Sequence, residues 1–382
     1  MVNGLRSLAG RMVRATAHTA GEAVHRAQRA WQRHVFTENC RNEITEMQRN
    51  CCAGYAPPLN SLQEARRFLA RNFSGYSDTR WHEFYWCLTG VVDPAYIPTD
   101  IFFLRIEPTL NAMDYVEVLT DKNGCYNLPI ARYLPEPVLH LVRGELFLPG
   151  FKRIAEAELD RALGTSSEEF IVKPGTEHGG GRSLRSMDGP TTAAFLRDAL
   201  RDRRTRGITD WIVQRRLEQC AELAHFNPSS VNCYRLTMMR MDGEIVPIAS
   251  FLRIGGKGAK VDNFNWGGIA CGIAGGRLKG WGVDRLFRIH KAQPDSGIAI
   301  AGELPAYDEA VALCRKLHRS LPWFDLVSWD VAIDARYQPR IIEFNVQDQG
   351  VQAHQVLNGP LFGSEGSAAL SLVLRKLTRA NQ

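Results

Sequence analysis

Lysine is scarce in this 382-residue chain. Only nine of its 47 Lys and Arg residues are lysines, so the formal charge of +6 is an arginine bias. Such a balance suits phosphates, anionic substrates or an acidic membrane surface. The sequence has no basic stripe interleaved with aromatics, and a nucleic-acid groove is excluded on that ground. Long apolar runs are also missing, since none approaches the roughly 18 to 20 residues needed to cross a bilayer. The nine cysteines are odd in number and form no C-x-x-C pair. They read as reduced thiols of a cytosolic chain rather than as a disulfide frame or zinc site. The first 21 residues carry Arg6, Arg11 and Arg14, no acid and no export-length apolar segment, so no secretory signal is expected. The spacings of a P-loop and of a dinucleotide-binding turn are absent, as are G-x-S-x-G and H-E-x-x-H.

What is present is an ordinary globular composition, 45% hydrophobic and 23% charged, with 33 Gly and 18 Pro. Disorder and low complexity are excluded, and the length allows two or three domains with a core that needs no staples. In the first fifty residues, Leu5, Leu8 and Met12, then Val24, Ala27, Trp31 and Val35, recur at helical spacing with arginines on the other face. That helix either packs on the body or a second subunit, or serves as a surface-membrane anchor or targeting leader. Ser61-Leu62-Gln63-Glu64 is a capping box, and residues 77–87 read as a further helix. From Ile101 the texture turns strand-like, with Ile101–Ile106, Val138–Val142 and Glu145–Leu148 expected as strands and 152–163 as a helix. Strand 168–173 runs into the loop Pro174–Gly181, and helix 191–202 precedes strand 211–214. Asp242-Gly243 joins two long alternating strands, the strongest short hairpin signal. A helix near 307–320, a second hairpin at 326–346 and a C-terminal helix at 365–378 complete the pattern.

Three constellations carry chemistry. If Asp330 lies opposite Glu343, the midpoint of the last hairpin falls in the turn that residues 334–338 must make. Asp330, Glu343 and Asn345 then share one face. Opposed carboxylates repel unless a cation lies between them. Two acids and an amide oxygen suit Mg2+, the alternative being that the acids face solvent or an arginine. Lys173 ends an apolar strand where its ammonium can reach a phosphate, and the amides of Gly179, Gly180 and Gly181 can close on the same anion, unless that loop is merely a flexible surface turn. Arg235 and Arg253 sit within apolar strands, followed by Lys257, Lys260, Asp262 and Asn263 in a glycine-rich turn. They suit a transferring phosphoryl or a carboxylate, or are structural salt-bridge partners.

The order Asp121-Lys122, strand-borne Lys173 with a glycine loop, Gln214-Arg215-Arg216-Leu217-Glu218, Asp330 and Glu343-x-Asn345 resembles the ATP-grasp superfamily. Asn227–Arg235, Arg253-Ile254-Gly255, Val261-Asp262-Asn263 with Gly267-Gly268, and Ser328–Val331 resemble its sugar-transfer-associated branch, which is related to alpha-L-glutamate ligases. The similarity runs over roughly residues 100 to 360. The resemblance implies an α+β ATP-grasp fold: a helical N-terminal region (1–100), a first lobe with Lys122, Lys173 and the glycine loop (101–215), and a second lobe with the metal hairpin (216–382). It further implies ATP with Lys122, Lys173 and Gly179–Gly181 on its phosphates, and Gln214, Arg215 and Leu217 at adenine. Mg2+ would sit on Asp330, Glu343 and Asn345, Arg235, Arg253 and Lys257 would be catalytic, and Asp262 and Asn263 would bind substrate. The implied activity is an ADP-producing carboxylate-amine ligase on small-molecule substrates, in polysaccharide or specialised-metabolite assembly. A kinase on the same site and a non-catalytic partner of a glycosyltransferase are the alternatives. The expected location is cytoplasmic, with the arginine-faced helix as a contact to the inner membrane face. Gln214, where many relatives have Glu, and Phe344, where Gly is frequent, depart from the branch.

Overall fold

The computed structural model describes residues 31–52, 54, 58–164, 168–176, 184–201, 210–259, 262 and 267–380. Leu5 to Val24, Gly179, Gly180, Gly181 and Asn263 lie outside these residues.

Two antiparallel sheets dominate, giving the two-lobed α+β architecture expected from the sequence. The smaller contains β1 (Pro137–Val142), β2 (Glu145–Leu148), β3 (Lys152–Ile154), β4 (Phe170–Pro174), β5 (Arg185–Met187) and β6 (Trp211–Arg215), in the order β3-β2-β1-β6-β4-β5. Helices Leu159–Leu163 and Gly189–Arg201 cover one face, where Leu139, Leu141, Phe170, Val172, Leu196 and Val213 form a core. The larger contains β7 (Cys233–Met241), β8 (Glu244–Ile254), β9 (Ile269–Ala274), β10 (Arg277–Asp284), β11 (Ile289–His290), β12 (Leu326–Ile333) and β13 (Pro339–Asn345). Its order is β11-β10-β9-β8-β7-β12-β13. Every residue of β12 is buried, because helix Tyr307–His318 covers one face and the cleft side is walled in as well.

Local chemistry explains both long hairpins. Asp242 and Gly243 take positive φ of 48° and 88°, the twist-matched turn that Asp-Gly permits. In the β12–β13 hairpin, Asp330 pairs with Glu343 and Ser328 with Asn345, but Val331 then pairs with Ile341. One residue of β13 is therefore extra, a bulge at Ile342. It displaces the turn from the simple midpoint, and it turns a residue that regular alternation would point away into the cleft.

Two expectations are corrected. Ile101–Ile106 is not a strand: Thr99–Ile101, a π turn over Phe102–Ile106, and Glu107–Leu110 run on as one helical stretch. Phe102, Ile106 and Leu110, four residues apart, are its most buried apolar side chains. A short apolar run carries no reliable period, and here burial on one helical stripe decided the outcome. Residues 152–163 do not form one helix either, since Lys152–Ile154 adds an edge strand beside β2 before the chain turns helical.

Residues 99–130 pack on the larger sheet. Asn111 donates to the carbonyls of Leu326 (2.8 Å) and Val346 (2.6 Å) and accepts from the Leu326 amide. The helix at 31–51 also lies on this lobe, with Ile44 buried among Trp81, Phe84, Tyr85, Phe251 and Phe287.

Candidate active site

A cavity of about 510 Å3 opens between the sheets. Its floor is one cross-strand row of the larger sheet, in which Glu343, Asp330, Arg235, Phe251 and Gly272 are successive ladder partners on five adjacent strands. Ladder partners share a face. The hydrogen-bond ladder thus fixes a line from an anionic end to an aromatic one.

Asp330 is 2% exposed and fully engaged. Arg235 donates to both of its oxygens, Nη2 to Oδ2 at 2.9 Å and Nε to Oδ1, while Arg253 Nη1 reaches Oδ2 at 2.9 Å. Burial alone would raise this carboxyl, but the two guanidiniums and contact with Glu343 prevail and hold it below the ordinary carboxylate range. Arg253 Nη2 also binds Asp262 Oδ1 at 3.0 Å. Asp262 is pushed up to about 6, by burial first and despite Arg253, and its Oδ2 has no hydrogen-bond partner. Arg253 thus lies between Asp330 and Asp262, with Arg235 on the other side of Asp330. The donor set nevertheless fits Mg2+ in kind. Glu343 is only partly buried, and Asn345 gives its amide nitrogen to Ser328 O at 3.3 Å, so its amide oxygen is what it can offer a cation. Asp330 would have to share its oxygens with the guanidiniums.

The smaller sheet supplies the roof. Lys173 pairs with Ile212, and Ile171 with Gln214, which sets Lys173 and Gln214 on one face of β4 and β6. Lys173 is 8% exposed, and burial lowers its ammonium while Glu343, across the cleft, works in the opposite direction. The Lys122 loop is stapled to the end of β4, Lys122 N donating to Gly175 O at 2.8 Å. Both lysines line the cavity.

Gln214 is 4% exposed. Tyr126 donates its hydroxyl proton to Pro135 O at 2.6 Å, so toward Gln214, also 2.6 Å away, that hydroxyl can only accept. The amide is thereby oriented: Nε2 donates to Tyr126 and Oε1 is left buried without a partner. Val116, Cys125, Leu134, Ile342 and Phe344 add apolar lining to the same cavity. A buried acceptor in an apolar slot suits the amino group of adenine.

Other proposed residues lie elsewhere. Alternation along β6 turns Arg215 outward to Glu168 and Glu136. Leu217 lines a separate cavity with Arg216 and Glu218. Lys257 is exposed in its loop, its amide bound to Asp295 at 2.7 Å. Sequence reasoning did not find Glu43, Met47, Phe251, Arg285, Phe287 and the 347–353 segment, all on the cavity wall. Phe251 was within reach, because it lies two positions before Arg253 on one strand and so shares its face. The others come from distant segments and carry no local signal.

Residues 202–365 match the family model described as sugar-transfer associated ATP-grasp. No curated protein matches significantly. Among solved structures, the L-amino acid ligase from Bacillus licheniformis is similar at 12% identity and TM-score 0.39, over 70% of this chain and 49% of that one. D-cycloserine synthetase DcsG is similar at 15% identity and TM-score 0.35, over 69% of this chain and 71% of that one. D-alanyl-alanine synthetase A from Vibrio cholerae is similar at 11% identity and TM-score 0.39, over 68% and 65%. The chain thus spans about half the length of the first of these. The segment that resembles the sugar-transfer associated ATP-grasp family, residues 202–365, holds the floor of the cavity.

Proposed function

We propose that the chain is an ATP-dependent carboxylate-amine ligase that works through an acyl phosphate and releases ADP. The observation that carries this reading is the cleft lined by two lysines and the unpaired amide oxygen of Gln214 on one side, and by Asp330, Glu343, Asn345 and two arginines on the other. Gln214 Oε1 accepts from the adenine amino group, and Lys122 and Lys173 hold the phosphates. Glu343, Asn345 and Asp330 would hold Mg2+, whose chemistry there would be charge neutralisation at the terminal phosphates. Arg235 and Arg253 orient the carboxylate of the acid substrate and stabilise the transferring phosphoryl. Such transfer needs positioning and charge neutralisation more than covalent help from the protein. The sugar-transfer association of the family supports a place in polysaccharide or specialised-metabolite assembly.

The test is ADP production against pooled carboxylates and amines, with chelation by EDTA and Glu343→Gln as controls. ADP release that needs both an acid and an amine, and falls about 10²-fold in the variant, supports the ligase. Release with an alcohol alone would make the protein a kinase. ATP binding without turnover on any acceptor would make it a nucleotide-binding partner protein.

A further inference from the structure

Along the cross-strand row, Phe251 stands three strand spacings from Glu343, roughly 14 Å at about 4.8 Å per strand. That distance exceeds what a metal and the transferring phosphoryl occupy, so the aromatic end of the cavity is left for the second substrate. Its walls come from three distant segments. Glu43 and Met47 descend from the helix at 31–51, Arg285 and Phe287 come from the turn after β10, and Ala353 from helix Gln352–Asn358. The attachment is firm: Ile44, next to Glu43, is wholly buried, and Met47 packs on the same cluster, which includes Phe251, Phe287 and Val356. Phe287 holds a φ of 57°, a conformation that bulky side chains avoid. Asp284 makes the turn possible by accepting from the amides of Leu286 and Arg288 at 2.9 and 3.0 Å. Strain of this kind is retained where a side chain must be aimed.

We infer that this end is the acceptor pocket, that its ligand is a protonated primary amine, and that Glu43 is the carboxylate that receives the ammonium. The inference rests on the ligase reading and deepens it. Glu43 has no hydrogen bond or ion pair among the described residues, although it is partly buried against the cavity. Burial, with Glu46 adding to it, raises its carboxyl, the state that an incoming cation relieves. Arg285 is the opposing charge at this end, but it is exposed at the rim, where water and salt screen it more than a sheltered carboxylate. Phe251, Phe287 and Met47 offer apolar and aromatic surface to the carbon skeleton of an amine, an arrangement that also favours a cation over an anion. The amine attacks the acyl carbon as the free base after losing a proton to solvent. The new C–N bond forms as the C–O bond to phosphate breaks, the phosphate leaves with that electron pair, and the amide nitrogen sheds its second proton.

The experiment uses the full chain with ATP, Mg2+ and a carboxylate pool of proteinogenic amino acids and uronic acids. The acceptors are hydroxylamine, which is neutral near pH 7, and a pool of ethanolamine, putrescine and glucosamine. The expected result is hydroxamate with hydroxylamine, amide with at least one amine, and at least a ten-fold rise in amine KM in Glu43→Gln with recovery toward wild type in Glu43→Asp. Hydroxamate without amide from any amine, or without competition by one, overturns the cationic acceptor and leaves the ligase standing. Amide with an unchanged amine KM in Glu43→Gln overturns the role of Glu43. If no acid gives hydroxamate, the ligase reading fails, and this assignment with it.

Discussion

Arg235 grips Asp330 through both carboxylate oxygens, and the two residues are ladder partners on β7 and β12. Arg253 adds a third donor to the same carboxylate at 2.9 Å. One buried acid is therefore shared by two guanidiniums, each 15% exposed, the second of which is also paired with Asp262. Breaking a buried pair from one side costs more than the pair itself contributes, because the remaining charge loses its partner without regaining water. Asp330→Asn should accordingly destabilise the larger lobe by about 3 to 5 kcal/mol in the absence of any ligand or metal. Urea unfolding followed by tryptophan fluorescence measures this, since Trp329 adjoins the site. A variant as stable as the parent would mean that the arginines do not depend on this acid.

Gln214 yields a prediction on nucleotide choice. Its amide is oriented by Tyr126, so the group facing the slot is an acceptor. Adenine offers an amino donor there, whereas guanine offers a carbonyl oxygen. Gln214→Leu should weaken ATP by about 1 to 2 kcal/mol, roughly 5- to 30-fold, and the parent should prefer ATP to GTP. Calorimetric titration with both nucleotides checks this, and equal affinity for GTP would contradict the assigned orientation.

Acid should unfold the chain through its buried histidines. His82, His140 and His318 are lowered to about 4 and His354 to about 3, in each case chiefly by burial. Each stays neutral in the fold, while the unfolded chain takes up a proton below about 6.5. Between these values the unfolded state binds more protons, so stability is complete above pH 6.5 and falls as pH drops toward 4. Four such groups would give a slope of about 5 kcal/mol per pH unit near pH 5, and Glu107 and Asp262, raised by burial to about 7 and about 6, hold protons in the fold and offset about 2 of it. Asp330, held low, adds a loss only once the pH falls below the ordinary carboxylate range. Chemical denaturation at several pH values reports the slope, and a flat profile from pH 7 to 5 would refute it.

Much of the site was legible because its residues are tied by short-range rules. Period-two alternation and a turn at 334–338 suffice to bring Asp330, Glu343 and Asn345 to one face, and Asp-Gly suffices for the β7–β8 hairpin. The bulge at Ile342 was not legible, since it follows from how β13 must bend to keep Ile341 in the core while presenting Glu343. The strand expected over 101–106 failed for a related reason: an unbroken apolar run takes whichever form its partners bury, and these partners were the Leu326, Leu361 and Leu370 side chains far away in sequence. The helix at 31–51 was expected either to pack on the body or a second subunit or to serve as an anchor or leader, and nothing local announced that two of its side chains would reach the cavity.

That helix offers a final prediction, which does not depend on substrate. Ile44 is wholly buried between Trp81, Phe84 and Tyr85 on one side and Phe251 and Phe287 on the other. Removing a buried isoleucine to the β-carbon costs about 2 to 5 kcal/mol, in transfer free energy and in the cavity left behind. Among the described residues the polar ties of the surrounding helix run mainly to helix Arg80–Thr89, from Arg80 Nη1 to Thr45 Oγ1 (2.8 Å) and Arg41 O (3.2 Å), from Gln48 Nε2 to Arg80 O and Glu83 Oε2 (3.1 Å each) and from Cys87 Sγ to Cys51 O (3.2 Å), with Cys51 Sγ to Leu286 O (2.9 Å) reaching the turn after β10. The loss should therefore appear as local detachment rather than global unfolding. In Ile44→Ala the amides of 31–51 should exchange with deuterium about 30-fold faster or more, the factor that corresponds to 2 kcal/mol, while those of β12 keep their protection. Unaltered exchange in 31–51 would show that the helix is held by something other than this side chain.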